Sequence, residues 1–190
     1  MSTVRVRPAV LDAAGDVAAL ALLRRASASG DGQAPADADF GRRFSAWVRA
    51  EAHQRSFWLA EARGGEGGRT AGLRLPVGMV GMLRYERLPR PGAPVTAWGY
   101  LGGLFVLPDH RGGGTGTALV EAALEGARDA ELVRVVLSPG SSRAAPLYRR
   151  LGFRDARELL VHPLEGAAAD DEDVSGLDDL VHPLDLHPLD

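Results

Sequence analysis

The chain has 190 residues, 45% of them hydrophobic, and no cysteine, so it is long enough for one good core with a small appendage, and disulfides, a thiol nucleophile and thiolate metal sites are excluded. No run reaches the roughly 18 apolar residues of a membrane span, and the start, MSTVRVRPAV, lacks the apolar block of a signal peptide, so a soluble, cytoplasmic protein with no membrane partner is expected. The net charge is −3 with 22 basic residues, all arginine; they are not interleaved with aromatics, so nucleic acid is not an expected partner, whereas an anionic small ligand suits their planar fork of donors.

Hydrophobic periodicity predicts alternating strands and helices. TVRVRPA (Thr3 to Ala9) alternates as a strand, and the stretch from Asp12 to about Ser27 reads as a helix capped by Asp12. A Gly/Asp/Pro-rich loop leads to a second helix from about Asp37 to Gln54, carrying Phe44, Trp47 and Val48. Ser56 to Ala62 is a strand, and RGGEGGRTAG is a hairpin connection rather than a phosphate loop, because no helix follows it. Pro76 to Leu88 and Thr96 to Leu107 are two further strands joined by a Pro-rich loop. Thr115 to Asp129 is a helix with Val120, Ala123, Leu124 and Ala127 on one face, and Leu132 to Ser138 a buried strand. Ser141 to Gly152 offers a serine cap, a short helix and a closing glycine, with Pro146 tolerable only near the first turn. Phe153 to Leu164 is expected as a strand, then an acidic loop at about 165–178 and a last strand from Asp178 to Leu186, the whole of 1–190 forming one domain. The last 26 residues hold nine acids and no base, while the 22 arginines all precede residue 165.

Four glycines fall in the five positions 112–116 of RGGGTG, between a strand and a helix. Helix N-termini expose unpaired N–H groups and a partial positive charge, and a preceding glycine turn lets a phosphate approach them unobstructed. A nucleoside triphosphate loop is excluded because the chain has no lysine. A dinucleotide G-x-G-x-x-G also fails, because Leu119 stands where the third glycine belongs after Gly114 and Gly116.

LFVLPDHRGGGTGTALVEAAL resembles motif A of the GNAT acyl-CoA-dependent N-acetyltransferases through Val106, Pro108, Arg111, Gly114 and Gly116. SSRAAPLYRRLGF is similar to motif B of that family through Ala144, Leu147, Tyr148, Leu151, Gly152 and Phe153. The resemblance implies an α/β (α+β) fold with a mixed, splayed central sheet flanked by helices. It implies acetyl-CoA, or a close acyl-CoA, as co-substrate, pantetheine lying in the splay like an added strand. Backbone groups of Leu104, Phe105 and Val106 would hold the pantetheine amides. Arg111 and the N–H groups of Gly112, Gly113, Gly114, Thr115, Gly116 and Thr117 would hold the pyrophosphate, and Gly102 and Gly103 would mark the bulge that starts the splay.

By the same resemblance Tyr148 is the general acid for the departing thiolate, a role its reference pKa of about 10 allows at neutral pH. Ala144, Leu147, Tyr148 and Leu151 also form an i, i+3, i+4, i+7 stripe, so a core tyrosine is the rival reading. Ser141 stands where many members have an asparagine contacting pantetheine, and helix capping is its rival role. Gly102 and Gly103 occupy positions where some relatives carry a glutamate base, leaving Glu86, Tyr100, His53 or a bound water. No metal is expected, since His162, His182 and His187 lack ligand spacing. The activity implied is N-acetylation of a primary amine, in a small molecule or at a peptide N-terminus. The alternative is a non-catalytic acyl-CoA sensor or partner-recruiting module. Homodimerisation is left open.

Overall fold

The computed structural model describes residues 4–29, 36–64, 72–139 and 144–156. Among the described residues five strands form one mixed sheet in chain order. β1 (Arg5–Pro8), β2 (Arg55–Arg63), β3 (Arg74–Glu86) and β4 (Ala97–Val106) pair antiparallel, and β5 (Val135–Val136) runs parallel to β4. Helices α1 (Ala14–Ala28) and α2 (Phe40–Glu51) lie between β1 and β2 in the chain, α3 (Thr115–Asp129) crosses from β4 to β5, and α4 (Ala145–Arg150) follows β5. Parallel strands need such a crossover, and α3 supplies it.

The period-2 alternation of β2 and β3 sorts the core onto two faces of the sheet. On one face Trp58, Ala60, Val80, Met82 and Leu101 pack with Leu119, Val120, Ala123 and Ala127 of α3. On the other, Leu59 and Met79 pack with Leu20 and Leu23 of α1, bordered by Phe44, Phe57 and Phe105. The sheet is therefore a wall with α1 and α2 on one side and α3 and α4 on the other.

Several boundaries differ from the sequence expectation for tertiary reasons. α1 begins after Ala13, which makes no side-chain cap, so Asp12 is not the cap. The carboxylate that organises this turn is Asp16, which accepts the Val10 N–H at 2.8 Å and pairs with Arg7 at 2.6 Å. Arg7 also reaches Glu61 at 2.6 Å, tying α1 to β1 and β2, and the hydrogen bonds from Arg7 and from the Val10 N–H hold the Asp16 carboxyl below the usual carboxylate range. β5 was expected over Leu132 to Ser138, yet only Val135 and Val136 join the ladder, because the chain beyond them leaves β4. α4 begins at Ala145, which puts Pro146 in its first turn, the place where it is tolerable. Of the strand expected from Phe153, residues 153–156 are not extended in a ladder. Its remainder, the acidic loop, the last strand, Ser141, His162, His182 and His187 lie outside the described residues.

Candidate active site

β4 is ten residues long, but β5 pairs with it only at Gly99 and Tyr100. From Leu101 to Val106 the β5 side of β4 has no ladder partner among the described residues, and this is the splay. The register shows which peptide groups face it. Gly99 N–H donates to the Arg134 carbonyl and the Ala97 carbonyl accepts from Val133 N–H, at 2.9 Å each, so odd-numbered peptides face β5 at the start of β4. A register shift then falls opposite Met79/Gly81, with Gly103 at φ +62°. That is a β-bulge at the expected glycine pair, and it inverts the phase. After it Leu107 N–H donates to the Val77 carbonyl on β3 at 2.9 Å, which turns the peptides of Leu104 and Val106 to the open edge.

Phe105 departs from its expected role. Its carbonyl points at β3, where a Cβ on Gly78 would sit 2.9 Å from it, and its ring joins the α1 face. Leu104 and Val106 instead lay their side chains on the α3 face, with their backbones facing the splay.

Past β4 a single 3-10 turn, Pro108–His110, reverses the chain, and Arg111 N–H closes it on the Pro108 carbonyl at 3.1 Å. Gly112 (φ +77°) and Gly114 (φ +85°) hold left-handed conformations that a side chain would strain. Apart from each glycine's own chain neighbours, no atom of the described residues lies within 4 Å of where Cβ atoms on Gly112, Gly113 or Gly114 would stand, so among them this side of the loop is open. Gly114 is the N-cap of α3 and brings no capping side chain. The first helical bond runs from Ala118 N–H to the Gly114 carbonyl at 3.0 Å, so the N–H groups of Thr115, Gly116 and Thr117 precede any intrahelical acceptor. Thr115 itself is buried. Gly116 has a second use, since its missing Cβ would lie 3.4 Å from Leu147 Cδ1, which lets α4 close on the start of α3.

Residues 19–153 match the model of the acetyltransferase (GNAT) family. The chain belongs to the GNAT acetyltransferase family. Its fold is shared with a predicted acetyltransferase from Clostridium acetobutylicum solved with acetyl-CoA, at 16% identity and TM-score 0.62 over 85% of this chain and 96% of that one. An aminoglycoside N-acetyltransferase in complex with CoA gives 16% identity and TM-score 0.62 over 87% and 97%. A GCN5-related N-acetyltransferase from Ralstonia eutropha JMP134 gives 25% identity and TM-score 0.57 over 86% and 100%. No curated protein sequence matches the chain.

In this GNAT protein α4 ends as its glycine suggests: Gly152, at φ +89°, donates to the Arg149 carbonyl and Phe153 N–H to that of Tyr148, both at 3.1 Å. This turn is a helix-closing motif that folds Phe153 back, and its ring meets Tyr148 edge-on at 5.8 Å. Tyr148 is 9% exposed and sits in the cluster that also takes Leu104, Val106, Leu137 and Leu147. Burial pushes its phenol pKa up.

The remaining candidates for a base separate by position. Glu86 pairs opposite Ala97, at the end of β4 away from the splay, is exposed, and contacts Arg84 at 3.3 Å. His53 is exposed, with Nδ1 3.0 Å from the Ala50 carbonyl at the end of α2. Tyr100 is buried at the last β4–β5 pair, where the splay opens. No described cluster of three or more His, Cys, Asp or Glu could hold a metal ion. A hollow of about 270 Å3 between Pro8, Arg55, Trp58, Met82, Gly126 and Leu132 shares no lining residue with 101–117, so the candidate site is the cleft of the splay and not this cavity.

Two features escaped the sequence. The inverted phase after Gly103 is one, and the side chain of Arg111 is the other: Nε donates to the Val106 carbonyl at 2.8 Å. The glycine pair signalled a bulge, but nothing local gives its phase.

Proposed function

We propose that this protein is an N-acetyltransferase that uses acetyl-CoA to acetylate a primary amine. The observation that carries it is the continuity of two complementary surfaces. The edge of β4 at Leu104 and Val106, without a ladder partner among the described residues, leads through a 3-10 turn to Gly112, Gly113 and Gly114 and the uncapped N-terminus of α3. A pantetheine arm carries amides at strand-like spacing, and an added strand is what an open edge accepts. A pyrophosphate carries charge that the N–H groups of Gly112 to Thr117 and the helix dipole stabilise. At Gly112, Gly113 and Gly114 no side chain stands in the donor's way.

Acetyl-CoA supplies an activated thioester, and this chain has to hold it, admit the amine and return a proton to the sulfur. Tyr148 serves the last step: with its pKa raised by burial, it is protonated across the neutral range and able to donate. Ser141, for which the family resemblance implies a pantetheine contact with helix capping as the rival role, lies outside the described residues. The amine must lose a proton, which passes to water at the mouth of the splay.

The acceptor is a small-molecule amine or a peptide N-terminus. Fold relatives include a glucosamine-6-phosphate N-acetyltransferase from Arabidopsis thaliana and a ribosomal-protein-alanine N-acetyltransferase from Brucella melitensis, so this fold serves both kinds. The test is CoA release with a panel of amino sugars, aminoglycosides, polyamines and peptides at millimolar acetyl-CoA. Turnover with any of them establishes the activity. A second reading, a non-catalytic acyl-CoA sensor, is favoured by the absence of an ionisable side chain in LGGLFV, residues 101–106. Tight acetyl-CoA binding with no turnover across the panel would select it.

A further inference from the structure

Arg111 makes a contact that its place in the loop does not require. Its own N–H is committed to the Pro108 carbonyl, yet its side chain turns back along β4. Nε donates to the Val106 carbonyl at 2.8 Å, and the guanidinium lies 5.8 Å from the Phe105 ring centroid. Val106 is one of the two residues after the bulge whose peptides face the splay. Its carbonyl is therefore an acceptor that a strand-like ligand would use, and Arg111 holds it.

Electrostatics explains the retreat. The start of α3 carries a partial positive charge, and Gly112, Gly113 and Gly114 bring no anion to the loop. A guanidinium beside them gains by moving to the nearest carbonyl. Its bond to a neutral carbonyl is weaker than the bidentate, charge-assisted bond it forms with a phosphate. The Arg111 side chain is exposed, so it can exchange one partner for the other without disturbing the core.

Resting on the donor-binding reading above, we propose that Arg111 is a specificity-determining latch on the donor site. It covers the Val106 carbonyl until a phosphate-bearing thioester draws the guanidinium to the loop. A thioester of pantetheine without phosphates must displace Arg111 and offers it nothing in return. The latch therefore selects acyl-CoA over unphosphorylated acyl-pantetheine, discriminating by an obstacle to the wrong donor as well as a contact to the right one.

The experiment measures dissociation constants of acetyl-CoA and of S-acetyl-pantetheine on the parent, Arg111→Ala and Arg111→Lys, each shown to be folded by its melting curve. In Arg111→Ala the two ligands should move in opposite directions: S-acetyl-pantetheine tightens about 3- to 10-fold, because an intramolecular competitor is gone, while acetyl-CoA weakens about 3- to 10-fold. Arg111→Lys, which keeps the charge, should retain most of the acetyl-CoA affinity. Unchanged or weaker S-acetyl-pantetheine binding in Arg111→Ala, with the parent binding acetyl-CoA, would overturn the latch alone. A folded parent that binds neither ligand would overturn the donor-binding reading and the latch with it.

Discussion

Tyr148 is at once a packing residue and the proposed acid, and one substitution separates these roles. Its ring is held by Phe153 and the α3-side core, contacts that phenylalanine keeps. Desolvation is the cause of its raised pKa, so its proton is present at neutral pH and it contributes no ionisation there. Tyr148→Phe should lower kcat about 10- to 100-fold, the lower part of the range for general acids because CoA thiolate is a tolerable leaving group. Acetyl-CoA affinity and melting temperature should barely change. A kcat within about twofold of the parent, with chemistry limiting the rate, would leave Tyr148 a core residue only. A second prediction concerns the Asp16–Arg7–Glu61 cluster. Asp16 is held below its ordinary pKa by Arg7, so its contribution to stability is complete above the unfolded value of about 3.9 and is lost as pH falls through the folded one. Asp16→Asn should cost about 1 to 2 kcal/mol at pH 7, and the gap between the melting curves of the pair should narrow as pH falls below about 3.9. A gap that persists undiminished at pH 2 would show that the ion pair is not its source.

Among the elements, β4 and α3 form the site between them, and how well each was legible in the sequence follows from what defines it. α3 matches its expected bounds, Thr115–Asp129, because a left-handed glycine before it and an apolar stripe along it are both local signals. The bulge in β4 is legible as a glycine pair, but the direction of the peptides after it depends on pairing with β3, which turns the Phe105 carbonyl toward β3 and not toward the splay. β5 was overextended because LVRVVLS reads as a strand throughout, whereas its ladder stops where β4 and β5 diverge. Asp12 looked like a cap because the tertiary claim of Arg7 on Asp16 is invisible locally. The loop itself yields a prediction. Gly114→Val puts a β-branched side chain at φ +85° and into the open side of the loop. It should cost roughly 1 to 3 kcal/mol of stability, and acetyl-CoA affinity measured on the folded fraction should fall more than tenfold. Equal affinity in variant and parent would make Gly114 a turn residue with no part in binding.

The whole molecule divides its labour across the sheet. α3 and α4 press on one face and contribute the loop and Tyr148, while α1 and α2 cover the other, and among the described residues nothing pairs with the β5 side of β4 between Leu101 and Val106. The charge is uneven along the chain, since all the arginines precede residue 165, and a basic body favours a donor rich in phosphate. The central claim is that this edge and loop bind acetyl-CoA in the folded protein, and thermal unfolding of the full chain with and without acetyl-CoA tests it most directly. At about 100 times the dissociation constant the ligand adds roughly 2.7 kcal/mol, so the melting temperature should rise by about 5 to 10 °C for a chain of this size. A cooperative unfolding transition that stays in place at millimolar acetyl-CoA would contradict the account.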